Sequence, residues 1–566
     1  MDEIASLSTA PSRVDGAFAE WILQKDTPKF LYSNAQSYEL VLYANADHLL
    51  ILSAIVPTSA LDSVRPADLR DWDLMHDKWS YNYDWDKPDV WHTPPFDSDR
   101  NPTFRDGEAL IVQRSFAGFE GEKSYYELSQ KFSHIFDLHF VSHMQAWCRL
   151  DEHGDVEPVV KITNLPKGAT GYAGTIITVS RQILDEYLLA GRFALVRAFD
   201  FTRYEPKNFN GWGDSRVQQE ISDDEFGYQL TVQSGVGSYL RGVQIVRPLE
   251  IIEECYSRLR HGRDNEQYAS FIAQDAKNSV IAEISCAPGA TANYFTQSEL
   301  PFEVTPAFFR PEVLQKYKAD SIKYTVEERS IHCRGTWSLK TYDINDAGQV
   351  HTYLVYLRSL PYQEQLYWKS FNEKPRAPIS KRAFTTDIMG DWFLEYNGLQ
   401  SLLHLTRRLD RAAVRWWKLK SADLIDNVHY PVTAATEEWA NEILTLDQLL
   451  VEGLETKWLR ETADKLSQSP QPNEASLKLL ERCLVGVGFD EDEAKATSAP
   501  LRELHHLRSK VKGHARGSEA ETLKSAALKT HGSYKKHFED MCTRCDTSLE
   551  RVANALASLG GVVPGG

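Results

Sequence analysis

Cysteine is scarce and scattered in this chain: seven residues, at 148, 255, 286, 333, 483, 542 and 545, among 566. An odd, widely spaced set is not the framework that staples small secreted domains, and it reads as reduced thiols in a cytoplasm. Long hydrophobic runs are also missing. The longest apolar stretch, around residues 49–57, falls far short of the roughly 20 residues needed to cross a bilayer, so no membrane association is expected. Residues 1–12 carry no basic cluster followed by an apolar run, and no secretory leader is expected there. Internal repeats and long low-complexity segments are absent. So are the signatures of a P-loop, a protein kinase, a nucleophile elbow and a metal-dependent nuclease. Gly235-Val236-Gly237 has no phosphate-loop pattern after it, and no cofactor is expected.

What is present is enough for packed cores. Apolar residues make up 42% and aromatic residues 11%, and 566 residues exceed one ordinary core, so two to four domains are expected. The 14 Trp and 25 Tyr imply broad apolar faces on which many indole N–H and phenol groups need partners. A net charge of −17 argues against a protein that coats nucleic acid or an anionic surface over its whole exterior. The charge is uneven, however. Residues 499–566 hold 11 Lys/Arg against 7 Asp/Glu, a local +4 that leaves −21 for the rest. That patch is either a binding site or the lysine-rich solvated face of terminal helices.

The pattern predicts an α+β protein: a β-rich mixed N-terminal body, in one or two domains, followed by an all-α C-terminal bundle. Short β-branched or aromatic runs bounded by turn residues predict strands at 38–43, 49–56, 110–113, 159–163, 175–179, 193–199, 230–233, 242–246, 280–284, 324–327 and 352–357. Helical spacing interrupts them at 125–135 and 181–189. A stretch rich in Asp, Gly and Asn, 205–227, suggests a boundary, giving domains at 1–205, 206–392 and 393–566. From about Tyr396, helical periodicity takes over through 399–409, 439–450, 454–466, 475–485 and 501–511. Phe538, Cys542, Cys545, Leu549, Val552, Leu556 and Leu559 then step by alternating fours and threes, a narrow helix-packing seam.

The stretch LRELHHLRSKVKGHARGS, 501–518, carries the most specific chemistry. Leu501, Leu504, Leu507 and Val511 line one helical face, Pro500 reads as a helix entry and Gly513 as a stop. Positions six apart on an unbroken helix diverge, so a break at Gly513 would be needed to bring His514 back beside Arg508. Lys510, Lys512 and Arg516 add positive charge. Arg508-Ser509-Lys510-Val511-Lys512-Gly513-His514 resembles the signature of the HEPN family, helical-bundle domains many of which are ribonucleases. The resemblance implies a metal-independent endoribonuclease working as a homodimer with a composite site. It implies that His514 serves as general acid or base and that Arg508 holds the scissile phosphate, with RNA contacts from Lys510, Lys512 and Arg516. Imidazole titrates near neutrality and guanidinium presents a fixed fork to phosphate, so the residue types suit the task. A bacterial toxin or antiphage effector is also implied, its N-terminal body sensing a phage-derived or cellular trigger.

A second string of the same form, Arg70-Asp71-Trp72-Asp73-Leu74-Met75-His76, sits in an acidic, Trp-rich stretch that would repel phosphate. That stretch, 71–99, interleaves eight Asp with Trp72, Trp79, Trp85 and Trp91 and is expected to form a Trp-anchored irregular loop. His505 and His506 could line the same cleft, but they are expected to be exposed or partly packed. Cys542 and Cys545, with His531 and His537 upstream, invite a zinc reading, but both sulfurs fall on the apolar seam and core thiols are expected. The aromatic stretch 353–372 reads as a domain interface or recognition surface. Outside the enzyme class stands a non-catalytic scaffold whose helical end mediates dimerisation or partner contact. A ligand pocket in the β-rich body is a third reading.

Overall fold

The computed structural model describes the whole chain except residues 1, 13–15, 70–78, 97–101, 105, 116–123, 169, 170, 172, 205–208, 213–215, 262–266, 394, 422, 432–434, 514–517 and 560–566. The chain divides into two compact units, Met1–Glu266 and Gln267–Gly566. The first is built on one antiparallel sheet of ten strands: β1 (Glu39–Ala46), β2 (Leu49–Pro57), β3 (His139–Val141), β4 (Ala146–Leu150), β5 (Val156–Lys167), β6 (Ala173–Ser180), β7 (Phe193–Tyr204), β8 (Arg216–Ser222), β9 (Phe226–Gln233) and β10 (Gly237–Val246). Their spatial order is β8-β9-β10-β7-β2-β1-β6-β5-β4-β3. One half, β3 to β6, is a run of local hairpins; in the other, β8, β9 and β10 form hairpins and β10, not β8, pairs β7. The hairpin β1–β2 sits between the two halves, β1 pairing β6 and β2 pairing β7. The boundary expected within 205–227 lies instead between β7 and β9 of this one sheet, because β8, β9 and β10 extend it from β7. The described residues Arg216–Ser222 within that stretch are a strand of the sheet.

Strand β7 runs through the middle of the sheet and is buried on both faces. Ala194 and Val196 pack with Leu61 and Phe104, while Phe199 and Phe201 pack on the opposite face with Phe30 and Leu31 of helix α1 (Thr27–Ala35). Arg197 is wholly buried on that second face. Its guanidinium donates to Asn34 Oδ1 at 2.6 Å, to the carbonyls of Val41 and Leu31, both at 3.3 Å, and to Gln244 Oε1. Burial, with repulsion from Arg181, pulls its pKa down to about 9. Helix α2 (Arg181–Gly191) follows the predicted spacing. The helix expected over 125–135 is divided: Tyr125–Leu128 is a strand paired with Ile111–Arg114, and only Gln130–Ile135 is helical. Ser129 caps that short helix by accepting from the Phe132 N–H, which fixes the change of period.

The second unit holds two hydrophobic cores. One lies under a six-stranded sheet with strands Ser270–Asp275, Val280–Ser285, Pro306–Phe309, Asp343–Ile344, Val350–Tyr353 and Asn372–Glu373. The strand expected at 352–357 ends at Tyr353, and Leu354–Leu357 is helical. The aromatic stretch 353–372, expected to be a domain interface or recognition surface, supplies this core: Leu354, Leu357, Leu360 and Trp368 are all buried in it.

The other core is packed mainly by helices α3 (Gly398–Arg411), α4 (Thr436–Leu450), α5 (Thr456–Lys465), α6 (Ser476–Gly486), α7 (Glu491–Arg508), α8 (Ser518–His531) and α9 (Tyr534–Leu556). The predicted seam holds, with Phe538, Cys542, Cys545, Leu549, Val552 and Leu556 fully buried along α9. Helix α7 begins at Glu491, not at Pro500. Asp490 caps it by accepting from the Glu493 N–H at 2.7 Å, and Pro500 lies inside it. A proline there removes the ladder bond to Ala496. Ser548 Oγ donates to the Thr497 carbonyl and Arg502 to the Lys495 carbonyl, so nearby carbonyls gain side-chain donors. The buried face Ala494, Ser498, Leu501, Leu504, Leu507 runs past the proline without a break, and packing outweighs the local signal.

Candidate functional site

Arg508 ends α7 on the same stripe as Leu501 and Leu504, so helical geometry aims its stem inward, toward α4. There it meets Asp447, a carboxylate with no solvent exposure. Arg508 Nε lies 3.6 Å from Asp447 Oδ2, and its Nη2 donates to Glu452 Oε1 at 2.8 Å. One turn earlier, His505 Nδ1 sits 3.1 and 3.3 Å from the two Asp447 oxygens. Burial pushes the Asp447 carboxyl up, and His505 and Arg508 partly offset that rise. In the tautomer with Nδ1–H donating to Asp447, Nε2 of His505 is the basic nitrogen. His505 keeps 46% of its side chain exposed and Arg508 keeps 31%. A buried acid thus holds one imidazole and one guanidinium at the surface of the bundle.

Beyond Arg508 the winding widens into a π-helical turn, Ser509–Gly513. Such turns recur where a helix is re-aimed at a functional position. Val511 is buried in the core as its spacing predicted. Lys510 pairs with Glu519 of α8 at 2.7 Å, Lys512 with Glu437 of α4 at 3.6 Å, and His506 approaches Glu519 at 3.6 Å. His514 and Arg516 lie outside the described residues, as does the 70–76 string. The structure therefore brings Arg508 beside His505, a histidine that spacing alone had placed in the background. Asp447 was missed altogether. A signal for it exists: it is an acid set among Ile443, Leu446 and Leu450 on the buried face of α4, which also holds Glu442.

The local positive charge of the sequence is largely answered within the bundle. Each of Arg508, Lys510 and Lys512 faces a carboxylate from another element. Cys542 and Cys545 are core thiols, and burial pushes both upward. His537 Nδ1 accepts from the buried Trp439 indole at 3.3 Å. No described helix is long and apolar enough to cross a membrane.

Tests against known proteins add no relative. No protein-family model, no curated protein and no solved structure matches this chain.

Proposed function

We propose that the C-terminal bundle is a metal-independent, HEPN-like endoribonuclease, and that Asp447, His505, Arg508 and His514 form its reaction centre. The observation that supports this is the buried carboxylate under an imidazole and a guanidinium that both reach solvent. Arg508 would fork onto the scissile phosphate once Glu452 is displaced, stabilising the charge that grows on its oxygens. His505, oriented by Asp447, would take the 2′-hydroxyl proton, and His514 would return one to the leaving 5′-oxygen. The pairing of two copies would complete the site, Lys510, Lys512 and Arg516 would contact the RNA backbone, and residues 1–392 would sense a trigger in a cytoplasmic toxin or defence effector.

A scaffold reading has its own support. The ion pairs from Arg508, Lys510 and Lys512 to Glu452, Glu519 and Glu437 staple the end of α7 to its neighbours without any ligand. Incubation of purified protein with labelled RNA in chelator separates the two. The nuclease reading expects cleavage that Arg508→Ala and His514→Ala abolish while both variants melt like wild type. Equal cleavage by all three, or none by wild type, would leave the scaffold.

A further inference from the structure

Among the described residues of the Trp-rich acidic stretch, Trp79, Trp85 and Trp91 are exposed and do not anchor it. Strands Ser80–Tyr83 and Val90–Thr93 form a two-stranded hairpin, with Tyr81 opposite His92 and Tyr83 opposite Val90. Cross-strand partners share a face, so Tyr81, Tyr83, Val90 and His92 line one side. Trp85, in the connecting loop, lies against Tyr83 with ring centroids 4.9 Å apart. Exposure is high throughout: 70% for Trp79, 67% for Tyr81, 50% for Tyr83, 86% for Trp85 and 60% for Val90. A contiguous aromatic surface left in water is a mark of a binding face rather than of a loop anchor.

The surroundings of these rings select the ligand. Asp84 accepts from the N–H groups of Asp86 and Lys87 and so shapes the loop, while Asp86 and Asp89 are exposed at its tip. The described hairpin carries Asp84, Asp86 and Asp89 against Lys87, an excess of negative charge that repels RNA and other polyanions. The rings are tilted, 55° for Tyr81–His92 and 58° for Tyr83–Trp85, and offer no flat platform for a nucleobase or a sugar ring. Electron-rich ring faces beside carboxylates suit a cation carried on an apolar stem, the chemistry of Arg and Lys. No described strand pairs with either outer edge of the hairpin, so an extended peptide can add its backbone there.

We propose that this hairpin docks an extended polypeptide segment bearing alternating Arg or Lys side chains. The test uses the full-length protein and a fluorescent ten-residue Arg-Thr repeat, with a Glu-Thr repeat, oligouridine, maltoheptaose and phosphatidylcholine vesicles as competitors. The Arg-Thr peptide should bind and quench tryptophan emission. The double variant Trp79→Ala/Trp85→Ala, which leaves net charge unchanged, should weaken it roughly tenfold. Asp86→Asn/Asp89→Asn should weaken it and flatten its salt dependence. Glu461→Gln/Asp464→Asn, an equal charge change on α5, should bind as wild type does. Circular dichroism checks that all variants fold, as exposed positions lead one to expect. Wild-type affinity in the aromatic variant, equal weakening by the α5 variant, or displacement by oligouridine, maltoheptaose or vesicles would overturn the proposal.

Discussion

Glu442 offers a quantitative test of how the helical bundle is held to the sheet of its own unit. Its carboxylate accepts from the His429 N–H at 2.9 Å and faces Lys318 Nζ at 3.5 Å, and Lys318 also donates to the Tyr430 carbonyl at 2.8 Å. Burial pushes the Glu442 carboxyl from 4.5 up to about 7, despite the pull of Lys318. Burial, with repulsion from Lys318, pulls His429 down to about 4. The two shifts act in opposite directions. A raised acid contributes stability fully present below pH 4.5 and lost as pH rises through 7, whereas a depressed histidine contributes stability present above pH 6.5 and lost as pH falls through 4. Between those limits folding moves one proton from imidazole to carboxyl, and the two dependences nearly cancel. Glu442→Gln removes one side of that balance. At about 1.4 kcal/mol per pKa unit, the variant should gain about 3 kcal/mol relative to wild type between pH 4.5 and pH 8. Urea unfolding followed by tryptophan emission, with Trp439 one turn away, measures the difference at both pH values. A difference between the two proteins that does not change with pH would refute the reasoning.

Other expectations follow from single contacts. Asp447→Asn should raise stability at neutral pH, since it removes a buried acid with an elevated pKa, yet depress RNA cleavage and shift its pH profile; a change in melting alone would make Asp447 merely structural. A methyl group at Gly398 would fall 2.8 Å from the backbone of Thr543 on α9, so Gly398→Ala should cost roughly 1–3 kcal/mol in urea unfolding. Arg197→Met takes the guanidinium donor from Gln244 Oε1 in the core of the first unit, while Asn34 Oδ1 and the Leu31 carbonyl keep donors from Val41 and Gln244, and should cost roughly 1–3 kcal/mol. All seven cysteines are buried and outside any disulfide; a thiol reagent should label them only after denaturant is added, and rapid labelling of native protein would contradict the packing.

The elements that the sequence announced were those whose own period decides their state. The 4-3 seam of α9 and the stripe of α3 needed no partner to be legible, because one face is buried and the other wet. Misreadings occurred where tertiary contacts overrule local cues. Pro500 looked like a helix start, but the cap at Asp490 and the buried face through Leu501 extend α7 on both sides of it. Tyr125–Leu128 carried helical spacing and became a strand because Ile111–Arg114 pairs with it. At the candidate site, motif spacing singles out Arg508 but gives no hint of Asp447, which lies 61 positions away in the chain and meets Arg508 through the packing of α4 on α7. The tryptophans of the acidic stretch were expected to be anchors because large rings usually are; Trp79 and Trp85 instead face water.

The order of the ten strands has a consequence for synthesis. Residues 39–57 leave the ribosome well before their hydrogen-bonding partners, Ala173–Ser180 and Phe193–Tyr204, which follow more than a hundred residues later. At roughly 5–20 residues per second the nascent hairpin waits on the order of ten seconds with both edges open. During that interval it is the segment most in need of a chaperone, and its arrival between two ready-made half-sheets would be the step that locks the unit.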